Sequence, residues 1–355
     1  MTETRFTHAL PGRTVTLDDG EEFLWFSGTD YLGMGHNPEF ESFLTEGLER
    51  YGTHYGSSRN GSLRLTVYED AEESLAAFVD VPAALTVSSG MWAGQLVMKV
   101  LDGLSAEFHY APRVHPALWG RTYAPQSGAW DEWVKKTIHR IETSAAGTQH
   151  VVCTDSVGSP WVEGFNLGLL RNLPNNRQIW LIVDDSHGLG VLGQGGRGVF
   201  SQLPQKNNIR SLVTSSLNKA LGVPGGVIFG DDDIVQGLRQ TPWFAGSSPS
   251  APAYFYALQQ NLSFEIYQKA HQTLLNNLDY FTRRYPVSRA FVSLSEYPAF
   301  CSRQTDLYAF LHQHKILTSR FSYPLPTDEP VMRLVVTALH QKQDLDRLAE
   351  VLLQL

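Results

Sequence analysis

Short apolar runs rich in Val, Ile and Leu alternate along the chain with segments whose apolar residues recur at three- and four-residue spacing. The runs Ala84–Val87, Val151–Cys153, Ile179–Val183, Leu212–Thr214 and Val227–Phe229 predict strands. Their nearly continuous apolar character predicts a mostly parallel sheet covered on both faces. Asp70–Val79, with Leu75, Phe78 and Val79 on one face, and Met91–Leu101, which follows the Ser88-Ser89-Gly90 turn, predict helices. From Ala253 to Tyr285 the pattern predicts one long amphipathic helix leaving a first domain. A smaller segment follows Pro286 and closes over Asp344–Leu355, with Leu345, Leu348, Val351 and Leu352 at helical spacing. The class is α/β, with an N-terminal segment over 1–50, a large domain over 51–260 and a smaller C-terminal domain over 261–355.

Composition narrows the functional classes. In 355 residues, 42% hydrophobic and 11% aromatic content supplies a sizeable core, which excludes wholesale disorder. Acidic residues outnumber basic ones for a net charge of −8, which argues against nucleic acid or an anionic membrane as the main partner. The opening Met-Thr-Glu-Thr-Arg-Phe lacks the basic-then-apolar pattern of a signal peptide, and no apolar run is long enough to span a bilayer. A soluble, cytoplasmic chain is the expectation. The cysteines, Cys153 and Cys301, form no C-x-x-C pair, so neither a disulfide framework nor a structural zinc site is expected, and no metal ligand is assigned.

Several motifs can be weighed on their chemistry. Gly188-Leu189-Gly190-Val191-Leu192-Gly193 matches G-x-G-x-x-G after a strand. A dinucleotide site needs a helix to start inside that motif. Here Gln194-Gly195-Gly196-Arg197-Gly198 follows, and so many glycines resist a helix. No serine has glycine two residues before and after it, which removes the hydrolase elbow, and no P-loop pattern is present. Val183-Asp184-Asp185-Ser186-His187-Gly188 falls at the carboxyl end of a predicted strand, where open α/β sheets bind ligands, although a solvated polar turn reads the same way. After the next strand, Lys219 stands in Ser215-Ser216-Leu217-Asn218-Lys219-Ala220-Leu221-Gly222. A lysine between apolar residues is either a snorkelling surface group or a desolvated amine fit to form a Schiff base. Acidic turn with His followed by hydroxyl-flanked lysine is a layout suited to pyridoxal phosphate.

Five segments in order carry a family resemblance. Phe26-Ser27-Gly28-Thr29-Asp30-Tyr31-Leu32-Gly33, Tyr55-Gly56-Ser57-Ser58-Arg59, Ser88-Ser89-Gly90-Met91-Trp92-Ala93, Asp184 to Gly193 and Met332-Arg333-Leu334-Val335-Val336-Thr337-Ala338-Leu339-His340 resemble motifs of the α-oxoamine synthases. These are fold-type I pyridoxal-phosphate transferases that condense an amino acid with an acyl-CoA. The resemblance implies the fold-type I architecture, with a mostly parallel sheet in the large domain and a smaller C-terminal α/β domain. It implies pyridoxal 5'-phosphate as cofactor, and an amino acid plus an acyl-CoA or acyl-carrier thioester as substrates. Decarboxylation then gives an aminoketone. Alanine with a pimeloyl thioester is the first expectation, ahead of other acyl transfers.

By the same resemblance, Lys219 is the Schiff-base lysine, Asp184 faces the pyridine nitrogen, His187 lies near the phenolic oxygen and His115 stacks on the ring. The alternative for His115 is an ordinary helix cap. Gly90, Met91, Ser159 and Ser216 are cofactor-contacting positions, Ser247 and Ser248 reach the phosphate of a neighbouring subunit in an obligatory homodimer, and Arg333 binds the substrate carboxylate. An ion pair with an acidic side chain is the alternative for Arg333. Departures occur at Asn218, at Ser159-Pro160-Trp161-Val162-Glu163 and at Phe321-Ser322-Tyr323-Pro324-Leu325-Pro326, and the last two bear on the substrate.

Overall fold

The computed structural model describes residues 4–355 except Arg303, Thr305, Pro324 and Pro326, so those two prolines of the substrate-side departure lie outside the described residues. Two six-stranded sheets form the framework. The first runs in the order β3 (Ala83–Val87), β10 (Gly226–Gly230), β9 (Ile209–Ser216), β8 (Gln178–Asp184), β5 (Gln149–Asp155) and β4 (Ala106–Tyr110). From β9 to β4 the strands are parallel, and β10 alone runs against its neighbours. Val151, Val152 and Cys153 on β5 and Leu181, Ile182 and Val183 on β8 are fully buried. Consecutive residues point to opposite faces, so both faces of this sheet are covered, as the unbroken apolar runs require.

Helix α3 (Gly90–Leu101) lies against β9 and β10, whereas α2 (Thr66–Val79) and α5 (Asp232–Arg239) pack on β3. A Cβ on Gly90 would fall 2.6 Å from the Ser216 Cβ, so the start of α3 touches the end of β9 only because residue 90 is glycine.

The second sheet takes strands from both ends of the chain: β1 (Thr14–Thr16), β2 (Glu22–Phe26), β13 (Ile316–Ser322), β14 (Pro330–Val335), β12 (Ala299–Ser302) and β11 (Val292–Ser293). Strand β2 pairs in parallel with β13. A hairpin of β6 (Val157–Gly158) and β7 (Glu163–Gly164) follows β5 directly.

The single helix predicted over 253–285 is two helices, α7 (Pro252–Ser263) and α8 (Ile266–Arg284), separated at Glu265, whose φ is +58°. The break follows from packing: α7 lies against α1 (Pro38–Tyr51) and α2, while α8 lies against α10 (Lys342–Leu352). One straight rod cannot serve both surfaces. Cys153 and Cys301 are both buried. No helix among the described residues is long and apolar enough to cross a membrane.

Candidate active site

The carboxyl ends of β5, β8 and β9 are level, with Asp155 opposite Asp184 and Asp184 opposite Thr214. Two carboxylates on adjacent strands are thereby set side by side. The Asp184 Oδ1 accepts the Ser186 N–H at 2.9 Å, and Asp155 accepts the His115 N–H at 3.2 and 3.1 Å. Burial pushes the Asp155 carboxyl well above its ordinary range, and the charge on Asp184 pushes it further. The shift favours a protonated Asp155.

Next to Asp184, the His115 Nδ1 lies 3.5 Å from Oδ2 and accepts the Ala117 N–H at 3.2 Å. His115 therefore caps the short helix Pro116–Leu118 and also borders the cavity at the strand ends. Beyond β9, the Lys219 Nζ meets the His187 Nε2 at 3.0 Å, and the His187 Nδ1 meets the Tyr31 hydroxyl at 2.9 Å. Tyr31 has no exposed surface, and its ring packs at 6.4 Å on that of Tyr297. Burial lowers the Lys219 amine to about 8; Asp184 opposes the shift and Arg333 adds to it. Burial also takes the His187 imidazole well below its usual value, with Lys219 and Arg333 acting in the same direction. A neutral His187 beside a lysine whose ammonium gives up its proton near pH 8 is an arrangement for moving a proton.

These groups face a cavity of about 210 Å³ bordered by His115, Asp155, Ser159, Asp184, His187, Lys219, Tyr323 and Arg333, among others. Arg333 reaches it from β14 of the second sheet. Its side chain is buried, and no acidic group lies within ion-pair distance among the described residues. The Nη2 is 3.5 Å from the Gly28 carbonyl, the Nε has no partner, and the guanidinium carbon sits 5.6 Å from the centroid of the Phe321 ring. Among the described residues, Arg333 thus makes no ion pair.

The glycine-rich loop after His187 has another purpose. Asp185 is buried, its Oδ2 accepts the Val199 N–H at 3.0 Å, and a Cβ on either Gly188 or Gly198 would collide with its carboxylate. No α-helix starts within 188–193. The loop folds around a carboxylate, which is why its glycines imitate a nucleotide-binding motif.

Of the remaining expected residues, Ser159 borders the cavity, whereas Gly90, Met91 and Ser216 are not among its lining; Gly90 meets Ser216 where α3 abuts β9. The first N–H groups of α3 have no intrahelical acceptor and suit an anion. Ser89 caps that helix by accepting the Trp92 N–H at 3.1 Å. Ser247 and Ser248 follow α6 (Pro242–Ala245) and do not border the cavity; Ser250, close behind them, donates to the Ser88 carbonyl at 3.5 Å. Asp155 went unnoticed in the sequence, although Thr154-Asp155-Ser156 after an apolar run is the same strand-end signal as Asp184. The side-chain set fits a pyridine aldehyde phosphate: a desolvated amine, a strand-end carboxylate and an arginine with no acidic partner among the described residues share one cavity.

A family model for aminotransferase class I and II matches residues 124–352. The chain belongs to that family. Curated relatives include the 8-amino-7-oxononanoate synthase of Aromatoleum aromaticum, 31% identical over 71% of this chain and 67% of the relative. That of Enterobacter sp. is 28% identical over 99% and 96%. They set the chain among the α-oxoamine synthases, pyridoxal-phosphate enzymes of fold type I. Its fold is similar to that of Sphingomonas wittichii serine palmitoyltransferase, with a TM-score of 0.83 at 16% identity over 98% and 90% of the two chains. The 8-amino-7-oxononanoate synthase of Francisella tularensis gives 0.70 at 19% identity over 95% and 98%.

Proposed function

We propose that this chain joins an amino acid to an acyl thioester, releasing the thiol and carbon dioxide to leave an α-aminoketone, and that its substrates are those of an 8-amino-7-oxononanoate synthase: alanine and a pimeloyl thioester. The observation that carries the reading is Arg333, a buried cation with no acidic partner among the described residues, set in one cavity with a lysine amine lowered to about 8. An uncompensated buried charge costs several kcal/mol, so it calls for an anion from outside the chain, and a planar fork matches a carboxylate.

When bound, pyridoxal phosphate supplies a carbonyl for the substrate amine and a ring that takes up the electron pair left on the α-carbon. In this reading Lys219 holds the cofactor and then moves the α-proton at its Nζ. Asp184 stays ionised against the pyridine nitrogen and keeps that nitrogen protonated. His115 covers one face of the cavity, and His187, kept neutral by burial, borders the phenolic side. Gly90, Met91, Ser159 and Ser216 contact the cofactor, with the start of α3 facing its phosphate. Arg333 orients the Cα bonds by holding the amino-acid carboxylate.

Ser247 and Ser248 are proposed to complete the site of a second subunit, in a cytoplasmic homodimer. A catalytically silent role is disfavoured, because such a protein has no use for the lysine. The test is release of free thiol across a panel of amino acids and acyl thioesters. Alanine with a pimeloyl thioester should give the highest kcat/KM. A preference for glycine with acetyl or serine with palmitoyl thioester would reassign the substrate within the family, and amino transfer to a keto acid without thiol release would overturn the reading.

A further inference from the structure

Outside the lining of the cavity, Glu107 and His109 on the edge strand β4 face His150 on β5, and Glu107 pairs directly with His150 in the register. Both histidines are buried, and Glu107 leads out to solvent. The His109 Nε2 and His150 Nδ1 are 3.2 Å apart, the Glu107 Oε2 is 3.7 Å from the His150 Nδ1, and the three ligand atoms lie within 4.8 Å of one another.

The second nitrogen of His150 decides what the first can do. The Ser144 hydroxyl donates to the Ile141 carbonyl at 2.8 Å, which leaves its lone pairs to accept from the Arg177 Nε at 3.2 Å and from the His150 Nε2 at 3.0 Å. His150 therefore carries its proton on Nε2 and presents a bare Nδ1 toward His109. Metal-bound histidines are held in the same way, with the far nitrogen donating to an oxygen. Without a metal, the facing nitrogens are satisfied by one shared proton on His109. A tetrahedral zinc ion with Zn–N bonds of about 2.0–2.1 Å sets its nitrogens about 3.3 Å apart, which nearly matches the spacing already present.

We propose that Glu107, His109 and His150 form a zinc site, in which Zn²⁺ replaces the proton shared by the two imidazoles, Glu107 supplies a carboxylate oxygen and water fills the solvent-facing fourth position. Zinc would tie the edge strand β4 to β5 and, through Ser144, to the end of α4 (Trp130–Thr143). The cysteine pattern argued against such a site, but this cluster contains no cysteine and joins strands distant in sequence. Arg140 and Arg177 lie near enough to act on the imidazoles. Their charge weakens cation binding, so the site should yield to a strong chelator.

The test is titration of chelator-treated, cofactor-loaded enzyme with Zn²⁺ alone, followed by calorimetry and by the thermal midpoint. One Zn²⁺ per chain should bind and raise the midpoint. Ser144→Ala should weaken binding by the roughly 10- to 100-fold that outer-shell partners are worth, and Glu107→Gln and His109→Asn by at least as much. Glu107 is exposed and outside the catalytic machinery, so Glu107→Gln should fold and turn over as the parent does. Absence of stoichiometric binding, or binding untouched by Glu107→Gln and His109→Asn, would overturn the proposal.

Discussion

Two buried arginines, Arg59 and Arg333, are 5% and 6% exposed, yet they are treated in opposite ways. The Arg59 guanidinium meets Glu72 at 2.6 and 3.0 Å and the Thr86 carbonyl at 3.1 Å, and Arg239 reaches the same carboxylate at 2.5 Å. Burial pushes the Glu72 carboxyl up, but Arg59 and Arg239 more than offset this and hold it below its ordinary value. Arg333 has a distant carbonyl, a ring face and an open cavity. A charge compensated inside the chain belongs to the architecture; a charge left uncompensated beside a cavity belongs to a ligand.

The largest effect is expected on the ligand side. Asp184→Asn should still take up pyridoxal phosphate but lose turnover by orders of magnitude, each factor of ten corresponding to about 1.4 kcal/mol of transition-state stabilisation. Steady-state kinetics with the absorbance spectrum checks this, and near-normal turnover would remove Asp184 from its role.

Breaking the architectural side comes next. Glu72→Gln leaves Arg59 and Arg239 only the partly exposed Glu69 as an acidic partner and should cost about 3 kcal/mol of stability by urea unfolding. Removing the other arginine should do the reverse. Arg333→Met deletes a charge that the unliganded chain does not compensate, so the thermal midpoint of the cofactor-free protein should hold or rise. A large fall there would mean that Arg333 is architectural after all.

The smallest effect is a shift along the pH axis. Only the neutral Lys219 amine is nucleophilic, so the rate at which cofactor-free protein takes up pyridoxal phosphate should rise with pH through about 8. Arg333 disfavours the ammonium, and its removal stabilises the charged form. Arg333→Met should therefore move that midpoint upward, and a midpoint that stays put would separate the two residues.

Much of this was legible in the sequence because it is local. Five strands announced themselves as apolar runs, and Asp184, His187 and Lys219 follow such runs directly. What escaped depends on distance or context. Strand β4 reads Ala-Glu-Phe-His-Tyr, and at the sheet edge its polar positions mask the apolar run a central strand would show. The pairing of β2 with β13 joins opposite ends of the chain, which no local pattern encodes. The break at Glu265 is set by what α7 and α8 pack against. Tyr31 lay inside a recognised motif, but its contact with His187 emerges only from the fold.

The central claim is that Arg333 awaits the amino-acid carboxylate. Arg333→Lys keeps the charge and loses the planar fork, so the most direct measurement is the amino-acid KM of that variant under saturating acyl thioester. The account predicts a rise of about tenfold or more, equivalent to roughly 1.4 kcal/mol of binding, with the acyl-thioester KM and cofactor absorbance nearly unchanged. An unaltered amino-acid KM would contradict it.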